Sequence, residues 1–384
     1  MKDANSVLSS YSTTVFEVMS QLAMEHDAIN LGQGFPDEDG PLELRQIAAD
    51  ALIEGPNQYP SMMGLPELRQ AIADHDKRFY GIHLDWKTEV MVTSGATEAL
   101  SNCLFGLIEP GDEVVVLEPF YDCYLPLIKR AGGIPVVVSM SAPDWKLPIE
   151  ELNEALHHET KLILINSPMN PTGKAFHWEE LEALAELCLR YDVYAVCDEV
   201  YEHQIYDGRK HYPLISLPGM RDRTVRIGSA GKSFALTGWK VGYICAAPEI
   251  LAPISKAHQF TTFTTPPNLQ KAVAVGLGKD QSYFDGLTNE LQEKRDYLSK
   301  GLADIGFDVL RSDGTFFVTA DIRSLYKGRD EEFCHYITTE AKVAAVPVSV
   351  FYDTEGPTNL VRFCFSKRMD VLEEALRRLK KAFS

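Results

Sequence analysis

Between Glu89 and Ala246, short apolar runs alternate with helical patterns, and this alternation constrains the fold more than any other feature of the chain. The runs are Glu89–Thr93, Glu113–Leu117, Lys161–Ile165, Val193–Cys197, Thr224–Gly228 and Val241–Ala246. Ala96–Ile108 reads as a helix, and so does Trp178–Tyr191, where Leu181, Leu184, Ala185, Cys188 and Leu189 share one face. Such alternation predicts an α/β fold with a mainly parallel sheet covered by helices. The pattern changes near Tyr283. A long helix over Phe284–Ile305, strands at Phe316–Ala320 and Leu360–Phe365, and helices at Glu331–Lys342 and Met369–Ala382 predict a smaller α+β unit. No Gly/Ser or Pro-rich linker separates the two, and there is no internal repeat.

Charge narrows the function classes. The 384 residues carry 37 basic and 55 acidic side chains, a formal net charge of −18. That balance argues against nucleic acid and against an anionic membrane surface, since both need a basic face. A small anion held by a few local cations stays open. Seven cysteines are scattered without a Cys-x-x-Cys pair, as expected of reduced thiols. Met1–Asn5 is polar, and no apolar run is long enough to cross a membrane, so the expected location is cytoplasmic.

The chemistry-bearing residues lie at strand ends. Ser229-Ala230-Gly231-Lys232-Ser233 follows one run. A phosphate-binding P-loop would need a glycine where Arg226 stands. The Ser-x-x-Lys motif of serine β-lactamases would need further elements that are absent. A surface lysine in a turn is the bland alternative. Thr237-Gly238-Trp239-Lys240 follows closely, so two lysines flank a glycine-bearing segment. That suits an amine for covalent work and a second cation for a phosphate. Asp198 ends the run before, where a carboxylate can pair with a protonated ring nitrogen or merely cap a turn, and Tyr201 three residues on can reach the same ring. Asn166–Gly173 carries Asn170 in a loop stiffened by two prolines, otherwise an ordinary turn. Thr93–Glu98 joins a strand to a helix whose N-terminus suits phosphate, or is a simple N-cap at Ser94 or Thr97.

Taken in order, Ser-Gly-Ala-Thr, Asn-Pro-Thr-Gly, Asp-x-x-Tyr and Ser-x-Gly-Lys with Gly-Trp-Lys resemble the class I aminotransferases of fold type I. Asn30–Asp37, Asn57-Gln58-Tyr59 and Glu118–Tyr124 resemble the kynurenine/glutamine branch, and within it the bacterial methionine aminotransferases. The resemblance implies a large domain (46–282) built on a mainly parallel seven-stranded sheet, a small C-terminal domain (283–384), and an N-terminal arm contributing to the small domain (1–45). It implies pyridoxal phosphate as cofactor, with Lys232 as the Schiff-base lysine and proton shuttle. Asp198 would pair with the pyridine nitrogen. Tyr201 and Asn170 would bond the ring hydroxyl, and Tyr121 would stack on the ring. The main chain of Gly95, Ala96 and Thr97, with Ser229 and Lys240, would hold the phosphate, joined by Tyr59 of a neighbouring subunit. Arg362 would clamp the substrate carboxylate, helped by Asn170 and the Gly34 main chain. Phe16 and Thr97 would line the side-chain pocket, with Phe263 crossing over in a homodimer.

The resemblance thus implies ping-pong transfer from an L-amino acid to a 2-oxo acid. Phe16 stands where animal kynurenine enzymes carry Trp, so methionine, glutamine or aromatic donors are expected ahead of kynurenine. No second arginine marks a side-chain carboxylate, which disfavours aspartate. Two alternatives stay open: a C–S β-lyase on the same fold, and a non-catalytic ligand-sensing module.

Overall fold

The computed structural model describes residues 2–384. Its centre is a sheet of seven strands: β1 (Val90–Thr93), β2 (Glu113–Glu118), β3 (Ile134–Ser139), β4 (Thr160–Asn166), β5 (Tyr194–Asp198), β6 (Thr224–Ser229) and β7 (Gly242–Cys245). Their spatial order is β1-β7-β6-β5-β4-β2-β3. Only β7 runs antiparallel to its neighbours. The expected fold class is therefore present.

Both faces of this sheet are buried, which is why its strands read as continuous apolar runs. Val114 and Val116 of β2, with Leu162 and Leu164 of β4, pack on one face against Leu100, Leu104 and Ile254. Val115, Leu117, Ile163 and Ile165 point the other way, onto Leu181, Leu184 and Cys188. Periodicity alone missed β3. It is an edge strand that starts after Gly132-Gly133, contains Pro135 and is mostly half-exposed. An edge is where a strand tolerates proline and loses its apolar signature.

A second sheet is antiparallel. Its strands are β8 (Asp308–Val309), β9 (Phe317–Asp321), β10 (Val346–Pro347) and β11 (Leu360–Cys364), in the order β10-β11-β9-β8. The N-terminal segment joins this region, because Ile29–Asn30 pairs in parallel with Val343–Ala344. The expected helix over Glu331–Lys342 is α-helical only from Asp330 to Tyr336. It widens into a π-type turn at Ile337–Ala341 and stops at a left-handed Lys342. The long helix begins slightly earlier than expected, at Gln281. All seven cysteines are free, and all but Cys123 are buried.

Register brings chemistry together at the carboxyl end of the large sheet. Asn166, the last residue of β4, lies beside Asp198, the last of β5. Ser229 ends β6 nearby, and Thr93 ends β1. In open α/β sheets this is the edge at which ligands bind.

Candidate active site

At the end of β1 the chain turns through Ser94 and Gly95 into the helix Ala96–Leu107. Neither Ser94 nor Thr97 caps this helix. Gly95 occupies the cap at φ +85°, and the Glu98 carboxylate accepts from the Ser94 amide. The first amides of the helix therefore keep their donors for a ligand. Backbone packs closely here: a Cβ on Gly242 of β7 would lie 2.6 Å from the Gly95 carbonyl carbon and 2.8 Å from the Ala96 nitrogen. Lys240 stands over the same turn, with its Nζ 3.3 Å from where a Gly95 Cβ would sit.

Lys232 sits in the short helical turn Ala230–Ser233 that follows β6. Its Nζ donates to the Gly34 carbonyl at 3.2 Å and lies 5.3 Å from the centre of the Tyr201 ring. Enclosure by protein lowers the ammonium to about 8, against the opposing pull of Cys364 and Asp198. An amine so placed is partly neutral near neutral pH, which a nucleophile requires.

Asp198 is buried, and desolvation pushes its carboxyl up to about 6; the Tyr124 hydroxyl, the Val200 amide and Lys232 pull the other way. Tyr124 donates to its Oδ2 at 2.7 Å, while Oδ1 has no partner among the described residues. Asn166 joins the neighbouring loops. Its Nδ2 donates to the Asp198 carbonyl at 2.8 Å, and its Oδ1 accepts from the Asn170 amide at 2.7 Å.

Arg362 projects from β11. Its guanidinium donates to Asn170 Oδ1 and to the Gly32 carbonyl, each at 2.7 Å. Its Cζ lies 3.9 Å from the Phe317 ring centre, 5.1 Å from Phe16 and 5.2 Å from Phe351. Burial lowers it to about 10, so it stays charged at neutral pH. Three aromatic faces and two fixed acceptors hold this cation still, and its Nε is left without a partner.

These groups line one cavity of about 350 Å³. Lys232, Asp198, Tyr201, Asn170 and Tyr121 face it, and so do Gly95, Ala96, Thr97, Ser229 and Lys240. Arg362, Gly34 and Phe16 complete the set expected from this chain. Tyr59 and Phe263 do not reach it. They pack on each other, with ring centres 5.5 Å apart, and Tyr59 is 81% exposed.

Sequence reading missed Tyr124, Asn166, Gly32 and Phe317 as parts of the site. Phe317 had a usable signal. It sits on the same face of β9 as Thr319, the residue paired with Arg362, so two-residue alternation puts it diagonally beside the arginine. Tyr124 had none, since it opens the helix Tyr124–Ala131 and meets Asp198 across 74 residues of chain.

Residues 26–379 match the aminotransferase class I and II family. The chain belongs to that family. It is a pyridoxal-phosphate-dependent aminotransferase. A probable N-succinyldiaminopimelate aminotransferase of Mycobacterium tuberculosis is 43% identical over 381 residues, 96% of each chain. Methionine aminotransferase of Escherichia coli is 37% identical over 375 residues, covering 98% of this chain and 97% of its own. Human kynurenine–oxoglutarate transaminase 3 is 35% identical, covering 94% of this chain and 87% of its own. The crystal structure of the M. tuberculosis N-succinyldiaminopimelate aminotransferase superposes with a TM-score of 0.96 over 99% of this chain and 100% of that one. An E. coli structure described as a methionine aminotransferase gives 0.96 over the same shares.

The residues fit the cofactor. The orphaned Asp198 Oδ1 is a buried acceptor with nothing to accept from, which a protonated pyridine nitrogen would satisfy. Lys232 offers an amine that needs little energy to lose its proton. The helix start at Gly95–Thr97 and Lys240 offer donors and charge for a phosphate. No described helix is long and apolar enough to cross a membrane.

Proposed function

We propose that the aminotransferase takes its amino group from L-amino acids with uncharged side chains, methionine, glutamine and the aromatic amino acids foremost, and passes it to a 2-oxo acid in two half-reactions at this one cavity. One observation supports this most. The cations lining the cavity are Lys232, Lys240 and Arg362, and each has a task, so none is left for a second carboxylate. The remaining wall is apolar or aromatic at Phe16, Phe35, Leu100, Tyr121 and Phe317.

Bound pyridoxal phosphate supplies an aldehyde that condenses with amines and a ring that takes up the electron pair released at the substrate Cα. The chain supplies the rest. Lys232 Nζ would tether the cofactor, then take the Cα proton and pass it to the cofactor carbon. Asp198 would keep the ring nitrogen protonated, Tyr201 and Asn170 would bond the ring hydroxyl, and Tyr121 would cover one ring face. The Gly95–Thr97 main chain, Ser229 and Lys240 hold the phosphate. Arg362 receives the substrate carboxylate, with Asn170 and the Gly34 main chain beside it. Its rigid mounting fixes the Cα–H bond relative to Lys232.

The reading includes a homodimer in which Tyr59 reaches the neighbouring phosphate and Phe263 the neighbouring side-chain pocket. Their placement away from their own cavity, with Tyr59 almost fully exposed, is what supports it. It also includes the division into a 46–282 large domain, a 283–384 small domain and a 1–45 arm, supported by the Ile29–Asn30 pairing with Val343–Ala344.

The test is the visible spectrum of the purified protein on stepwise addition of L-methionine without an acceptor. Loss of the bound-cofactor band, restored by a 2-oxo acid, is the expected result. N-Succinyldiaminopimelate consumed much faster than methionine, glutamine and phenylalanine would overturn the uncharged-side-chain reading. Pyruvate and ammonia released from a cysteine S-conjugate without acceptor, at a rate above transamination, would make the chain a β-lyase instead.

A further inference from the structure

His258 lies in the helix Pro248–Thr261 and is fully buried. Its Nδ1 is 2.6 Å from Glu98 Oε1, and its Nε2 is 3.0 Å from the Met62 carbonyl oxygen. Both neighbours are acceptors. Glu98 also accepts from the Asn102 side chain at 2.8 Å and from the Ser94 amide. Burial alone would raise the Glu98 carboxyl, but the bonds from His258, Asn102 and the Ser94 amide hold it below the ordinary carboxylate range. A ring flanked by an ionised carboxylate and a carbonyl can satisfy both only by donating from both nitrogens.

We propose that His258 is a positioning residue, a doubly protonated imidazolium that pins the start of the phosphate-cradling helix to the two surface segments carrying Tyr59 and Phe263. It rests on the reading of Gly95–Thr97 as the phosphate cradle. Glu98 sits one residue past Thr97 and caps the Ser94 amide, so the carboxylate that His258 grips also sets the turn at Gly95. Met62 lies in the same loop, residues 55–65, as Tyr59. Phe263 is bonded to the main chain of His258 itself, its amide donating to the His258 carbonyl at 2.9 Å. Further bonds tie the same three segments. Ser94 Oγ is 3.1 Å from Thr265 Oγ1, and Gln270 bridges the Leu65 amide to the Thr265 carbonyl at 2.7 Å each. Farther along, the two helices pack closely, since a Cβ on Gly106 would lie 2.7 Å from the Ile254 Cα. Glu98 is the charged side chain that His258 meets. One buried cation thus couples the helix under the phosphate to both residues read as crossing to a neighbouring subunit.

Two measurements test this. In the apoprotein with 15N-labelled histidine at neutral pH, the resonances lost in His258→Gln should have both ring nitrogens protonated. An unprotonated nitrogen there overturns the proposal. Separately, His258→Gln and Glu98→Gln should each weaken pyridoxal phosphate binding by about tenfold or more, as expected for losing a charge-assisted hydrogen bond. The double variant should be no worse than either single one, because both remove the same link. Single variants that keep the wild-type thermal transition and bind cofactor as tightly as wild type overturn it; so does full additivity. A wild-type protein that binds no cofactor would instead defeat the cradle reading, leaving the nitrogen resonances to decide the protonation of His258.

Discussion

The Tyr124 hydroxyl donates to Oδ2 of Asp198 at 2.7 Å and leaves Oδ1 alone among the described residues. A carboxylate with one oxygen tied and one bare is aimed. Tyr124→Phe should therefore do two things to the apoprotein. Losing a bond to the charged form raises the Asp198 pKa above its present value of about 6, so the acid limit of cofactor capture should move to higher pH. Freed Oδ2 also lets the carboxylate rotate, which should weaken binding at every pH. An unmoved acid limit in Tyr124→Phe, read from cofactor capture across the pH range, would show that the tyrosine does not tune Asp198.

Lys232 makes the opposite prediction at the alkaline side. Its ammonium is lowered to about 8, and only the neutral amine attacks an aldehyde. Capture of pyridoxal phosphate by the apoprotein should accelerate as pH rises through about 8 and level off above it. Stopped-flow absorbance measures this directly. Lys232→Ala should abolish turnover, and a variant keeping most of its activity would remove the lysine from the mechanism.

Arg362 tests substrate recognition. Its fork is held by Asn170 and Gly32 and sandwiched by aromatic rings, so a lysine there would lose both the planar geometry and the stacking. Arg362→Lys should cut kcat/KM by roughly 100-fold, chiefly through KM, consistent with the loss of a bidentate charged contact. Cofactor affinity should barely change. A fall in kcat alone, with KM intact, would mean that the arginine does not carry the carboxylate.

Much of the site was legible in the sequence because its residues follow β-branched runs, and a run that ends in Asp-x-x-Tyr or Ser-x-Gly-Lys announces a strand end with chemistry on it. What was not legible depends on pairs far apart in the chain. Arg226 entered only as the residue that breaks a P-loop pattern. In the structure it is fully buried and donates to Asp76 at 2.9 Å and 3.1 Å, to Glu199 at 2.8 Å and to Glu202. An arginine in an apolar strand looks the same whether it meets three carboxylates or none. The Glu98–His258 pair was hidden for the same reason: 160 residues separate its members. β3 was hidden by its edge position, where burial is too slight to write a pattern.

Gly242 carries the last prediction. It is the first residue of β7, and nothing about its own backbone requires glycine. The requirement comes from across the sheet. A methyl group there would press on the Gly95 carbonyl carbon and the Ala96 nitrogen at 2.6 Å and 2.8 Å, well inside contact distance. Either β7 moves or the turn that opens the helix does. β7 is hydrogen-bonded on both sides, to β1 and β6, whereas the turn is held by single bonds: the Gly95 amide to the Thr93 carbonyl, the Thr93 hydroxyl to the Gly95 carbonyl, Ser94 Oγ with Thr265 Oγ1, and the Ser94 amide to Glu98. The strain should therefore be relieved at the turn, displacing the amides of the phosphate cradle. Gly242→Ala should then bind pyridoxal phosphate about tenfold or more weakly, in keeping with the usual cost of overpacking, and the fold should persist. Equilibrium titration with cofactor and a thermal unfolding curve together decide it. A lowered melting temperature with unchanged affinity would mean that the sheet yields and the cradle does not.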